Sequence, residues 1–317
     1  MTTRPILELR ARIRRGLRDL FDGDGFLEVD TPVLAAEVLP EAHIDPIAVP
    51  LEAGAAARFL QASPEALMKR LLARGSGPIY QFAHAFRAGE RGRQHDIEFE
   101  LLEWYAPHAT LDDVAPFLER LCRLVLGTSG IDRLSCSAAF RAHAGVDPRG
   151  ATAEDLEAAA RRAGVVLPER WTSLPAEERR DRGFELLLAE VVQPRLGHDR
   201  PLMLEAWPAT QAAFARLDPR DAALARRFEL FVRGVELANG WEEETRRDVL
   251  EARIVAANHA RAASGRPELP LPQRLLEAHG AGMPAGTGVA LGFDRLAMLA
   301  AGADSIAAVR GFTSESG

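Results

Sequence analysis

The segment 86–105, F-R-A-G-E-R-G-R-Q-H-D-I-E-F-E-L-L-E-W-Y, constrains the fold more than any other part of the chain. A β-rich run, P-I-Y-Q-F-A-H-A-F, leads into it, and alternating residues ending in Glu103, Trp104 and Tyr105 lead out. Strand, a loop of about eight residues, and strand predict an antiparallel hairpin with a long charged tip. Arg87, Arg91, Arg93 and His95 crowd that tip, and guanidinium forks suit a polyphosphate. On the return strand Glu103 and Tyr105 are two apart, so both side chains point to one face. One hairpin thus offers cations for an anion and an acceptor pair for a cation. A solvated loop with an incidental arginine cluster fits the same residues.

Composition narrows the setting. At 317 residues and 47% hydrophobic content the chain can bury a sizeable core as one large domain or two ordinary ones. No apolar run approaches the ~18 residues of a membrane span, and the charged, amphipathic opening residues are unlike a signal peptide. Cys122 and Cys136 have neither metal nor redox spacing, which implies a reduced, cytoplasmic protein. The net charge is −7, and Lys69 is the only lysine, an arginine bias that reads as genome composition. An acidic balance without a basic tail argues against extensive nucleic-acid binding.

Along the chain, Leu9, Ile13, Leu17, Leu20 and Phe21 have helical spacing, and Gly23 and Gly25 close that helix. A short strand over 26–29 ends at Thr31-Pro32, and 35–58 reads as loop and hairpin. The strand 59–61 leads into S-P-E-A-L-M-K-R-L-L, with Ser63 as N-cap and Pro64 at the first helical position. A helix follows over 111–126, then an alanine-rich and mainly helical stretch over 137–200. The strand 202–205 ends before Trp207-Pro208. Residues 227–232 and 235–238 form a second hairpin that runs into N-G-W-E-E-E, and helices cover 243–264 and 268–280. Three crowded glutamates make either a surface acidic run or a metal or ammonium site. Near the end, Gly286, Gly288 and Gly292 bracket a short buried strand before a helix starting near Asp294. Arg295 lies in its first turn, where a cation opposes the helix dipole unless it reaches an anion.

Taken together, three of these stretches resemble the motifs of class II aminoacyl-tRNA synthetases. F-L-E-V-D-T-P resembles motif 1, F-R-A-G-E…H-D-I-E-F-E-L-L-E-W-Y motif 2, and G-V-A-L-G-F-D-R-L motif 3. S-P-E-A-L-M-K-R-L-L and G-V-E-L-A-N-G-W are similar to the lysyl subgroup, and the likeness spans 7–312. Motif 1 begins almost at the first residue, which leaves no room for the subgroup's anticodon-binding domain. The resemblance therefore implies a truncated lysyl-type branch: a single catalytic domain over 1–317, α+β, with an antiparallel sheet flanked by helices and a helical insertion at 137–200. It implies activation of (R)-β-lysine with ATP and Mg²⁺, transfer to a lysine of translation elongation factor P, and a homodimer held through motif 1. A free-standing ligase for lysine or another amino acid, acting on tRNA or a small acceptor, is an alternative, as is an inactive regulatory relative.

Site roles follow from the same resemblance. Arg87 would hold the ATP α-phosphate and the substrate carboxylate, and Arg295 the γ-phosphate. Glu90, His95, Asp96, Leu237 and Gly292 would complete the nucleotide site, and Glu236 would ligate Mg²⁺. Ser63 belongs to the substrate set, and Glu65 would face one substrate ammonium. Glu103, Tyr105 and Glu243 would hold the other, with Asn239 and Trp241 lining the pocket. Ala290, where the lysyl subgroup usually has glycine, would reshape the pocket floor. Two departures stand out: Gly89 where motif 2 usually has glutamate, and Asp96 where an asparagine is usual.

Overall fold

The structure, a computed structural model, describes residues 3–51, 57–169 and 171–317. The first elements are α1 (Thr3–Gly23), β1 (Leu27–Glu28), β2 (Leu34–Ala35), β3 (Ile47–Val49), β4 (Arg58–Leu60) and α2 (Glu65–Leu72). Next come β5 (Ile79–Phe86), β6 (Glu98–Pro107), α3 (Leu111–Leu126), β7 (Asp132–Ser135), α4 (Cys136–Ala144), α5 (Ala153–Arg162) and α6 (Ala176–Leu187). The chain continues through β8 (Leu202–Pro208), β9 (Leu217–Asp218), β10 (Asp221–Val232) and β11 (Val235–Glu242). It ends with α7 (Arg247–Ala263), α8 (Gln273–Gly282), β12 (Gly286–Gly292) and α9 (Phe293–Ala301). This is the expected α+β class. No described helix is long and apolar enough to cross a membrane.

Two compact units emerge. The first comprises Met1–Thr110, Leu124–Leu126 and Glu243–Gly317, the second Leu111–Arg123 and Gly127–Glu242. In the first, the strand order is β1-β5-β6-β12. The predicted hairpin is β5 and β6, paired in register from Ile79↔Tyr105 to Phe86↔Glu98. Its two faces differ in kind. On one, Tyr80, Phe82 and Trp104 meet α1, with Phe21 stacked on Tyr80 at 4.5 Å between ring centroids. Arg10, Arg14 and Arg18, four residues apart on α1, lay their guanidiniums over Phe82 and Phe293. Buried Glu100 pairs with Arg10 and Arg14, and Arg10 also reaches Asp294 at 2.6 Å. The opposite face carries Glu103 and Tyr105, and β12 brings Ala290 beside Glu103 and Gly288 beside Tyr105. A closed apolar-and-arginine layer on one side leaves the other for chemistry.

In the second unit the order is β11-β10-β8-β7, with β9 on β10. Phe140, Leu156, Phe184, Leu187, Trp207 and Phe231 fill its core. Cys136 lies in this core and Cys122 is buried on α3; both are free thiols, and burial pushes Cys122 up to about 12.

Several expected boundaries shift. The sheet strands are not all antiparallel: β1 pairs β5 and β7 pairs β8 in parallel, because both edge strands reach their partners through crossovers. β8 runs on through Trp207-Pro208, and Ala206 takes a φ of 54° where the β8–β10 register slips. The last helices start later than expected, at Arg247 and Gln273. The loop expected over 35–58 lies partly outside the described residues. At α2 the cap position is Pro64 rather than Ser63, although Ser63 Oγ still accepts from the Glu65 N–H at 3.0 Å.

Candidate active site

The open face of the hairpin carries a buried cluster of charge. Tyr105 Oη donates to Glu103 Oε1 at 2.6 Å, and Ser63 Oγ donates to Glu103 Oε2 at 2.8 Å. Ser63 can do both jobs because the short bend before α2 leaves its hydroxyl between the helix start and β6. On α2, Lys69 Nζ lies 2.6 Å from Glu65 Oε1, one helical turn away. The same ammonium lies 2.7 Å from Glu243 Oε2. Glu243 is positioned by its own N–H, which donates to the Gly286 carbonyl at 2.9 Å. Ser63, Glu65, Glu103, Tyr105 and Glu243 are thereby brought together, with Glu65 and Glu243 on the one Lys69 ammonium. Lys69 is the member that sequence reasoning missed. The available signal was its spacing of four from Glu65 in a chain otherwise without lysine.

Burial sets the protonation of this cage. Glu103 is pushed up to about 8, first by burial and then by the Glu65 charge. Tyr105 rises well above the ordinary phenol range for the same reason, with Glu103 beside it. Burial alone would drive the Lys69 ammonium down, but Glu243 and Glu65 together hold it above the ordinary lysine value. His279 on α8 is pushed down to about 4 by burial and by Lys69, so it stays neutral at physiological pH. Gly288 leaves the room the cage needs, since a Cβ there would sit 2.4 Å from both Glu243 Oε1 and Tyr105 Cε1.

The acidic run divides three ways. Glu242 takes Arg216 at 2.5 Å, Arg226 at 2.7 Å and the Leu111 N–H at 3.1 Å. Glu243 takes Lys69, and Glu244 takes Arg246 at 2.8 Å. Three adjacent glutamates therefore each have their own cation. Among the described residues no group of three or more His, Cys, Asp or Glu could hold a metal ion.

The tip of the hairpin spans 87–97, longer than expected. Arg87 lies over the Phe99 ring at 4.9 Å, donates weakly to the Ala62 carbonyl at 3.4 Å, and faces Glu90 at 3.7 Å. Gly89 has a φ of 78°, which accounts for glycine at that turn. Arg295, from the first turn of α9, donates to His95 Nε2 at 2.7 Å and to the Gln94 carbonyl at 3.3 Å. Gly292 lies just ahead of that turn, under the Arg295 stem. Asp96 turns elsewhere: its carboxylate accepts from Arg310 at 2.8 Å, from the Ser314 N–H at 2.9 Å and from the Ser314 hydroxyl. Those hydrogen bonds and Arg310 outweigh burial and hold its carboxyl below the usual range. Arg91 pairs with Glu315, and the Ile306 N–H donates to the Arg93 carbonyl at 2.9 Å. The C-terminal segment thus grips the loop at three points.

The remaining candidates lie on β11 in the second unit. A register slip against β10 makes Leu237 an extra residue in the strand. Glu236, Asn239 and Trp241 consequently share the less buried side, while Leu237 and Ala238 turn inward. Arg227 orients Asn239, donating to its Oδ1 at 3.3 Å, and is itself paired with Glu229 at 2.6 Å.

Residues 2–316 match the family of tRNA synthetases class II (D, K and N). An elongation factor P–(R)-β-lysine ligase of Erwinia tasmaniensis is 40% identical over 309 residues, covering 96% of this chain and 93% of the relative. The protein of the same name in Enterobacter sp. (strain 638) is 39% identical over 98% of this chain and 95% of its own length. Its counterpart in Salmonella gallinarum is 38% identical with the same coverage.

Proposed function

The chain belongs to the class II tRNA synthetases (D, K and N), and from that premise we propose that it activates (R)-β-lysine with ATP and transfers it to a lysine of translation elongation factor P. The observation that carries the substrate assignment is the buried cage of three carboxylates, Glu65, Glu103 and Glu243, with one internal ammonium. A diamino acid brings two ammonium groups to such a cage and leaves its carboxylate for an arginine. Relatives alike over nearly their whole length carry the matching name.

In the first step the substrate carboxylate oxygen bonds to the α-phosphorus, and the bond to pyrophosphate breaks. In the second, the acceptor amine attacks the acyl carbon, AMP leaves, and the amine loses a proton. No enzyme nucleophile is needed, so catalysis is positioning and charge stabilisation. Arg87 faces the charge that rearranges at the α-phosphate, with Phe99 beneath it restricting the guanidinium. Arg295 serves the terminal phosphates, and its hydrogen bonds to Gln94 and His95 aim it away from its own helix dipole. Glu65, Glu103 and Glu243 anchor the substrate ammoniums, and Ala290 beside Glu103 shapes the floor. A single carboxylate suits Mg²⁺ carried in on phosphates, which would neutralise them and supply charge stabilisation, and we assign Glu236 to it. We place the protein in the cytoplasm as a homodimer through the motif 1 stretch, where Leu27 is exposed on edge strand β1.

ATP–pyrophosphate exchange tests the first step, with (R)-β-lysine expected to exceed its S enantiomer and α-lysine. Mass spectrometry of elongation factor P then reads the second step as one added β-lysyl group. No exchange with any amino acid overturns the proposal, as does charging of tRNA in preference to the protein.

A further inference from the structure

Lys69 is the only lysine among 39 lysine and arginine residues. A chain that uses arginine everywhere else keeps a compact ammonium at one buried point. Its side chain is 2% exposed, with Glu65 Oε1 at 2.6 Å and Glu243 Oε2 at 2.7 Å. The charged and titratable groups facing it are Glu65 on α2, Glu103 and Tyr105 on β6, Glu243 and Glu244 ahead of α7, and His279 on α8. Glu244 is taken by Arg246, and His279 is neutral. Three carboxylates against one ammonium leave one negative charge while Glu103 holds its proton and two once that proton is released, the number of ammonium groups on a diamino acid.

On the functional reading above, we propose that Lys69 is a specificity-determining positioning residue: its ammonium cancels one carboxylate of the cage and ties Glu65 to Glu243, so that the cage accepts a diamino acid and rejects amino acids with one ammonium. Without it, three carboxylates would share a dry site, and repulsion would hold a second proton there besides the one on Glu103. The cage would then hold its charge only at higher pH. The retained Lys69 makes that charge independent of pH across the physiological range, apart from the single titration of Glu103.

The test compares wild type with Lys69→Met and Lys69→Arg, using (R)-β-lysine and its monoamine counterpart 3-aminohexanoic acid. Pyrophosphate exchange gives KM and kcat from pH 6 to 9.5, and calorimetry gives binding without ATP. Lys69→Met is expected to raise KM for (R)-β-lysine by about tenfold at pH 7, with kcat within about threefold and the ATP KM unchanged. Its preference for the diamine should fall about tenfold, and the pH midpoint of diamine binding should move up by about one unit. A purely structural role would lower activity alike at every pH and leave that midpoint in place. If Lys69→Met does not fold, Lys69→Arg decides: it keeps the charge and should keep the wild-type midpoint, and a displaced midpoint overturns the proposal. An unmoved midpoint in folded Lys69→Met also overturns it, as does tighter diamine binding, which would make Lys69 a competitor of the substrate. Wild-type binding of the diamine without exchange would instead count against the functional reading while leaving Lys69 testable by calorimetry.

Discussion

The two ends of the β5–β6 hairpin hold the same kinds of residue under opposite conditions. At the inner end Glu103, Tyr105, Lys69 and Glu243 are at most 3% exposed, and short contacts from strand and helix fix each one. At the tip Arg87, Arg91 and Arg93 have side chains 26%, 48% and 76% exposed, held by a loop and the C-terminal segment. Charge at the inner end is part of the core, so its geometry is set by folding and its loss should cost stability as well as binding. Charge at the tip is a surface device, so its loss should cost function alone. Substitutions at the two ends can therefore separate what folding builds from what the ligand completes.

The largest effect is expected at the tip. Arg87→Ala removes the charge proposed to face the α-phosphate, and kcat/KM for pyrophosphate exchange should fall about a thousandfold. The melting temperature should hardly move, because the Arg87 side chain makes one long hydrogen bond, a stack and a loose ion pair. A drop in stability that accounts for the lost activity would erase the contrast between the ends. Next comes Glu243→Gln at the inner end, which removes one of the two carboxylates paired with Lys69. Breaking a buried ion pair costs about 3–5 kcal/mol, and the amide oxygen recovers part of it. Melting should fall by roughly 5 °C or more, and KM for the diamino acid should rise about a hundredfold.

Titration gives a third probe. Glu103 sits at about 8, above the ordinary carboxylate value, so between those limits the folded chain binds a proton that the unfolded chain has released. This contribution to stability is present in acid and is lost as pH rises through about 8. Thermal melts should fall as pH rises from about 4.5 to about 8 and level off above it, and Glu103→Gln should flatten that dependence. Diamine binding has the opposite sign, because the ligand prefers the ionised carboxylate: affinity should rise over the same interval, with proton release seen in calorimetry at pH 7. No proton release would place the inner end in a fixed charge state and remove the distinction from ordinary surface acids.

The hairpin itself was legible from alternation, because two long strands in a sheet with one covered face leave a period-two record. The length of its tip was not, since that depends on Asp96 and Arg93 being gripped by residues more than two hundred positions away. Glu103 and Tyr105 could be placed on one face by counting. Their burial, and hence the proton on Glu103, could not be, because it comes from α2, β12 and Glu243 closing over them. Lys69 illustrates the limit most sharply. Its spacing from Glu65 reads as an ordinary surface helix pair, and only the approach of Glu243 makes it a buried triad. The run at Glu242, Glu243 and Glu244 looked like one site, but strand and turn geometry sends the three carboxylates to separate cations, two of them on Glu242.

The smallest effect sharpens the comparison most. Asp96 is the one well-buried carboxylate at the tip, and it holds Arg310 and Ser314 rather than facing a ligand. Asp96→Asn keeps an acceptor for the Ile97 N–H and the Ser314 hydroxyl but puts an NH2 group where the Ser314 N–H and Arg310 donate, and removes the charge opposite Arg310. Arg310 keeps the Glu98 carbonyl as an acceptor at 2.7 Å, so the loop should loosen without detaching. The expected result is a two- to fivefold rise in the ATP KM, with KM for the amino acid and the melting temperature unchanged. Arg310→Met should give at least the same change, because it also removes the hydrogen bond to the Glu98 carbonyl, and the double substitution should fall short of the sum of the two. A shift in the amino-acid KM would mean that the two ends of the hairpin are coupled through β6, and that the tip cannot be treated as a surface device at all.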